Sequence, residues 1–199
     1  MRKTALLLVS LLLLGCSGGE NSWDKITAPG FSGIGDLTIG LPRKEALSLL
    51  SGVESYSPHI FGYGGKVEDL EEVSGKSGTL NLKGERLEVF LTFYRDTLVL
   101  IETDWRGSSL LRDILSAKYG ETPINGRKSD YLQTWRGETA TATYLYRSDE
   151  NPDLYRRKTL ERVTIVPTGR DIRRELRDYA RKEEERRASE RKEDLRNIW

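Results

Sequence analysis

The alternation of apolar and polar residues is clearest in the middle of the chain. Every second residue from Leu87 to Phe93 is apolar, which is the period of a strand with one buried face. The pair Arg95-Asp96 predicts a turn, and residues 97–104 predict the returning strand. The pattern therefore indicates a β-hairpin.

Two short segments instead have the helical spacing of apolar residues. The first covers residues 43–51, after Pro42 and before Gly52. The second covers residues 109–119 and is followed by a further glycine. Three more strands are predicted at residues 131–135, 139–147 and 159–166. Because strands follow each helix with hairpin-length connections, we expect an α+β fold, with an antiparallel sheet and both short helices on one face.

Residues 168–199 predict a long charged helix at the C-terminus. Between Arg170 and Arg196 there are 11 Arg and Lys beside 9 Asp and Glu, without Gly or Pro. Opposite charges recur four residues apart, a spacing that supports an exposed helix. The apolar residues on one face stop early, so we expect the first turns to dock and the rest to project into solvent; these residues are Ile172, Leu176, Tyr179 and Ala180. A partner-binding arm is the alternative, and the nearly neutral charge argues against nucleic acid.

The first 15 residues form a predicted signal peptide. A short basic start precedes an apolar run at residues 5–14. Ten helical residues rise about 15 Å, roughly half of what a bilayer core requires, so the run is too short for a stable membrane span.

The apolar run ends in Leu13-Leu14-Gly15-Cys16, which resembles the lipobox of bacterial lipoproteins. The resemblance implies a diacylglyceryl group on the Cys16 thiol, cleavage before this residue and further acylation, for example by palmitate, of the new amino terminus. Two or three acyl chains are enough for stable anchoring. An ordinary buried thiol at Cys16 is the alternative interpretation.

The residues after Cys16 bear on where the protein resides. Ser17, in place of Asp, resembles lipoproteins sent to the outer membrane in bacteria that have two membranes. We therefore expect a protein held by lipid outside the cytoplasm, on the periplasmic side of the outer membrane if the host has one. Residues 16–36 are rich in Gly, Ser and Asn and predict a flexible tether, which leaves residues 37–167 as the domain.

The domain contains an internal repetition of helix, glycine and strands. The two copies are centred on Leu41-Pro42 to Gly52 and on Leu110-Leu111 to Gly120. This order resembles the fold of β-lactamase inhibitor protein and of the small accessory lipoprotein of the outer-membrane barrel assembly machinery. The segments that resemble the latter family are Thr38-Ile39-Gly40-Leu41-Pro42 and Lys118-Tyr119-Gly120-Glu121-Thr122-Pro123. The resemblance implies a non-catalytic binding scaffold.

Composition restricts the chemistry. The chain of 199 residues has one Cys, one His and a net charge of +1, so it allows no intramolecular disulfide, no multi-cysteine zinc site and no nucleic-acid binding by bulk charge. Any Ser-His-Asp triad requires His59, which lies in a predicted loop. We therefore expect no catalytic residues, no cofactor and no metal. Glu102 and Asp104 are predicted to share an outward face of one strand.

One catalytic alternative remains open. It is a lipid-anchored envelope hydrolase that acts on cell wall or lipid through His59 or through acidic side chains in residues 56–72. The candidate acids are Asp69, Glu71 and Glu72.

Aromatic side chains on the predicted strands are the candidate binding residues. Phe90 and Tyr94 lie opposite the Leu87–Phe93 face, and Tyr144 and Tyr146 alternate with Thr143 and its neighbours. If helices cover only one face, one of these pairs is left partly exposed to a partner; filling of the core is the alternative. The sequence thus predicts an envelope lipoprotein that binds another envelope protein or component, with its oligomeric state open.

Overall fold

The computed structural model describes residues 26–58, 70–82, 84–105, 110–127, 130–148 and 159–197. The helices of this part are α1 (Arg43–Ser48), α2 (Leu110–Tyr119) and α3 (Ile172–Asn197). The strands are β1 (Gly33–Ile34), β2 (Leu37–Thr38), β3 (Leu50–Tyr56), β4 (Val73–Leu82), β5 (Glu85–Tyr94), β6 (Thr97–Trp105), β7 (Asn125–Arg127), β8 (Asp130–Arg136), β9 (Ala140–Ser148) and β10 (Thr159–Pro167).

Eight of these strands form one antiparallel sheet in the order β3-β4-β5-β6-β10-β9-β8-β7. The strands β6 and β10 pair at its centre, where Ile101 lies opposite Ile165. The short strands β1 and β2 pair separately. The predicted α+β class, with an antiparallel sheet and a C-terminal helix, is confirmed.

The predicted hairpin is β5 and β6. Arg95 and Asp96 have φ of 52° and 56°, the left-handed conformations of the two-residue turn whose twist matches that of the strands. The inward residues from Leu87 to Phe93 are fully buried. Between Thr92 and Phe93 the pairing with β6 shifts by one residue, so that Leu98 and Ile101, three positions apart, both belong to the main core, whereas Val99 belongs to the cluster beneath α3.

The segment after α1 differs from its prediction. The helix ends at Ser48, and residues 50–56 form the edge strand β3. Gly52 lies at a bulge in β3, with φ of +62°, instead of closing the helix.

The strand β4 was not predicted, because it is rich in small polar residues and glycine. At Gly75 a Cβ would lie 2.2 Å from the Tyr56 carbonyl oxygen, so the close approach of β3 requires glycine there. The absence of a side chain at this position is therefore a packing requirement, which the apolar alternation of a sequence does not reveal.

The prediction of a flexible tether at residues 16–36 was wrong for residues 26–36, which are the part of it that the structure describes. Ala28 and Phe31 are fully buried, because their side chains enter the core beneath the sheet. The backbone N–H groups of Thr27 and Ala28 both donate to the Arg136 carbonyl oxygen at 2.9 Å. The packed domain therefore begins near residue 27, and residues 16–25 lie outside the described residues.

The main core lies on one face of the sheet. It joins inward residues of β5, β6, β8, β9 and β10 with the N-terminal segment, with Ala46 of α1 and with Leu111 and Leu115 of α2. The Trp135 indole N–H donates to the Gly120 carbonyl oxygen at 2.9 Å, which fixes the end of α2 against β8.

The opposite face carries a second, smaller cluster beneath α3. Ile172, Leu176 and Ala180 pack there with Val73 and Val99, as the apolar stripe predicted. The Glu72 backbone N–H donates to the Tyr179 hydroxyl at 3.3 Å. Most described side chains of α3 after Ala180 are exposed.

Predicted ion pairs on α3 are present at Arg174–Asp178 (3.9 Å), at Arg187–Glu183 (3.2 Å) and between Arg186 and Glu190. Such pairs support the helix itself, whereas the apolar stripe attaches it to the sheet. None of the helices in the described residues is long and apolar enough to cross a membrane.

Because α3 docks on the sheet through its first turns, a substitution in these turns should lower the free energy of unfolding more than one farther along the helix. Leu176→Ala removes a side chain that is 3% exposed, and we expect the free energy of unfolding to fall by about 2–4 kcal/mol because a cavity forms. Glu185→Ala, on an exposed turn, should change it by less than about 0.5 kcal/mol. Urea unfolding of both variants measures the difference, and equal effects would contradict the docked arrangement.

Candidate functional site

A groove of about 350 Å³ lies on the sheet face that carries α3. Its floor comes from alternate residues of β8, β9 and β10. In the sheet register Leu132 lies opposite Leu145, and Leu145 lies opposite Arg162. Thr143 and Thr164 form the next row. The floor therefore combines aliphatic side chains with two hydroxyl groups and the Arg162 side chain, and Leu132 is 41% exposed.

The first turn of α3 and the two residues before it form the wall of the groove through Arg170, Asp171, Ile172 and Arg173. The Asp171 carboxylate accepts a hydrogen bond from the Arg174 backbone N–H at 3.1 Å, which caps the helix. Asp171 thus both begins α3 and contributes the carboxylate that lines the groove.

Ion pairs hold the two arginines of this wall. The Arg173 guanidinium donates to Glu102 Oε1 at 3.0 Å, so α3 is connected to β6. Arg170 donates to both carboxylate oxygens of Glu175, and this contact raises the pKa of Arg170 and lowers the pKa of Glu175. Both arginines of the wall are therefore held by intramolecular ion pairs.

A buried polar cluster lies on the other face, beneath α2. Glu161 is 7% exposed, and its carboxyl group is hydrogen-bonded to the Tyr144 hydroxyl. Burial raises the pKa of the Glu161 carboxyl, as does the nearby Asp113, while the Tyr144 bond and Arg112 oppose that shift. Burial and the contact with Glu161 also raise the pKa of Tyr144.

Neighbours of this cluster connect it to the end of α2. The Gln133 side-chain amide donates to the Thr122 carbonyl oxygen at 3.0 Å. Tyr131 stacks on Tyr146 with ring centroids 4.9 Å apart. A carboxyl with a raised pKa is common in catalytic sites, but Glu161 and Tyr144 are both buried. The groove on the other face is therefore the better candidate for contact with another molecule.

The structure divides the predicted binding aromatics between the two faces. Phe90 lies on the face of α3 and contacts Tyr56, with ring centroids 5.0 Å apart. Tyr94 packs against Tyr179 at 5.6 Å. On the other face Tyr144 is 2% exposed and Tyr146 packs against the main core. The four side chains therefore do not form one surface.

The other residues singled out in the sequence have separate positions. Cys16, His59 and Asp69 lie outside the described residues. Glu71 is exposed, and the Glu72 carboxylate accepts a hydrogen bond from the Arg95 guanidinium at 3.0 Å. Glu102 pairs with Arg173, and nothing is described for the side chain of Asp104. Among the described residues, no three His, Cys, Asp or Glu side chains are grouped so that they could hold a metal ion.

Sequence reasoning missed the groove residues. In β8 and β9 both faces carry apolar side chains, so the alternation of Leu132 with Tyr131 and Gln133 does not show which set is outward. The one available signal was the leucine at the same face in both strands, since Leu132 and Leu145 are partners in the hairpin that the sequence predicts.

No protein-family model, curated protein or solved structure matches this chain. The geometry of the groove and the sequence motifs consequently carry the functional argument.

The buried Glu161 predicts a specific pH dependence of stability. Folding raises its pKa above the ordinary value of 4.5. Its contribution to stability is therefore fully present below the unfolded pKa and is lost as pH rises through the folded pKa. Glu161→Gln cannot ionise, so its free energy of unfolding relative to wild type should rise over this interval. Urea unfolding between about pH 4 and pH 8 measures it.

Tyr144→Phe is the companion variant. It removes the hydrogen bond that lowers the pKa of Glu161, so the loss of stability should extend to higher pH than in wild type. Parallel profiles for wild type and Glu161→Gln would show that this carboxyl has no raised pKa.

Proposed function

We propose that this protein is a lipid-anchored lipoprotein of the cell envelope whose domain binds another envelope protein or component and performs no chemistry of its own. The anchor is Cys16, on the lipobox Leu13-Leu14-Gly15-Cys16. The observation that carries the binding role is the groove beside α3. An exposed aliphatic floor with polar and arginine side chains at its rim has the character of a protein contact surface.

We also propose that the domain consists of two helix–meander units with their short helices on one face of the sheet. The support is the element order, since α1 precedes β3 to β6 and α2 precedes β7 to β10. In the sheet the second set runs in reverse, so the last strands of both sets are adjacent. Ala46 of α1 and Leu115 of α2 belong to one core cluster. This arrangement is compatible with the binding scaffolds that the sequence resembles.

Lipid attachment is tested at the single cysteine. Cells expressing the full chain are grown with an alkyne analogue of palmitate. We expect wild type to carry the label and to sediment with membranes, because acyl chains hold it there. Cys16→Ser should carry no label and remain unprocessed. Normal processing and membrane attachment of Cys16→Ser would contradict the anchor.

The binding surface is tested by photo-crosslinking in the envelope. A benzoylphenylalanine at position 132 places the reactive group in the groove, and the same residue at position 53 is the matched control. Val53 and Leu132 are both 41% exposed, but Val53 lies on the edge strand β3. We expect a discrete protein adduct from position 132 that position 53 does not give. The same adducts from both positions would show that the groove is not the contact surface.

A further inference from the structure

We infer that the groove takes an acidic segment of a partner protein, in which an apolar side chain is flanked by carboxylates. This inference deepens the proposed binding role and rests on it. It concerns what the groove recognises, and it follows from the floor, the wall and the neighbouring turns of α3.

The floor of the groove selects an apolar side chain. Leu132, Leu145 and Val166 present aliphatic groups along the groove, and Ile172 belongs to its wall. A volume of about 350 Å³ is at the small end of the range for ligand pockets, which begins at about 300 Å³. The groove thus has room for part of a peptide and not for a large folded element.

The wall of the groove selects negative charge. Arg162 of the floor and Arg170 and Arg173 of the wall line the groove, against one carboxylate, Asp171. The side chains of Arg170 and Arg173 are 47% and 58% exposed despite their ion pairs. A guanidinium has five N–H donors in a planar fork. Arg173 donates one of these N–H groups to Glu102, so further donors of this exposed side chain can bind a second carboxylate.

The helix beyond the wall continues the positive charge. Arg177 lies one turn after Arg173, on the same side of α3, because residues four apart are neighbours on a helix. The acidic residues of these turns are spaced in the same way along another side, at Asp171, Glu175 and Asp178. Arg173 and Arg177 thus form a basic side of α3 that the balanced net charge of the chain conceals, although Asp171 of the acidic side also lines the groove.

A concave site favours a peptide over a membrane surface. The groove is lined both by the strands β8 to β10 and by the start of α3 with the two residues before it. A lipid headgroup layer would meet the exposed arginines of the helix, whereas a ligand that enters the groove contacts both linings. An extended peptide can contact both.

The experiment uses the full mature chain, residues 16–199, with Cys16→Ser, so the result does not depend on acylation. The probes are two amidated, acetylated hexapeptides with Leu-Phe at the centre, one flanked on each side by two Glu and the other by two Lys. Binding is followed by NMR shifts of backbone amides. We expect the acidic peptide to shift the amides of Thr143, Thr164 and Ile172, and the basic peptide to leave them unchanged.

Matched variants distinguish binding in the groove from nonspecific attraction of the peptide to positive charge. Arg173→Gln with Arg177→Gln should weaken binding of the acidic peptide by about three- to tenfold, the range for two exposed ion pairs. Arg86→Gln with Arg127→Gln removes the same charge from exposed positions on β5 and β7, and should change binding by less than about twofold. Leu132→Ala should weaken binding as well, because the floor loses its exposed aliphatic side chain.

Three results would overturn the inference. They are equal binding of the two peptides, equal effects of the two arginine pairs, and absence of groove shifts with the acidic peptide. Vesicles of phosphatidylglycerol are the second probe. If the protein binds the vesicles through Arg173 and Arg177 but does not bind the acidic peptide, the surface recognises lipid instead. Membrane attachment of Cys16→Ser in cells would refute the proposed anchor and leave the peptide result standing.

Discussion

The antiparallel pairing of β6 with β10 is the contact on which the rest of the structure depends. It places Ile101 opposite Ile165 and joins the strands that follow α1 to those that follow α2. These partners are more than 60 residues apart in the chain, so the pairing brings together segments with no local reason to meet. Without it, each set of four strands would have an additional open edge and only part of the core.

Joining the strands into one sheet creates two faces that are covered to different extents. Phe31 of the N-terminal segment, Ala46 of α1 and Leu115 of α2 belong to one core cluster with inward residues of the sheet. The other face is covered over a smaller area by the first turns of α3, around Val73 and Val99. Beside α3 the strands β8 to β10 keep Leu132 and Leu145 accessible. The groove is therefore a consequence of unequal coverage of the two faces.

The candidate site also shows how charge is organised. The chain has nearly equal numbers of basic and acidic residues, yet helical spacing places Arg173 and Arg177 on one side of α3 and Asp178 on another. The ion pair between Arg173 and Glu102 orients the basic side with respect to β6. On the other face Glu161 and Tyr144 form a buried contact that supports the packing of the strands under α2. Each face thus has its own electrostatic character.

The sequence by itself determined the features that depend on local pattern. The hairpin at Arg95-Asp96, the helix at 110–119 and the docking stripe of α3 follow from alternation, turn residues and helical spacing, and they lie close to where the pattern placed them. The lipobox prediction likewise rests on a short contiguous motif at Cys16.

Only the tertiary structure decided the features that depend on distant partners. In β4 a glycine is required at position 75, because the backbone of β3 leaves no room there for a Cβ. Phe31 belongs to the core although its own segment is rich in glycine and serine. The candidate groove unites Leu132 with Arg173, residues 41 positions apart in the chain. A local pattern does not contain such contacts, because strand order and the face that a helix covers are set by which surfaces become buried together.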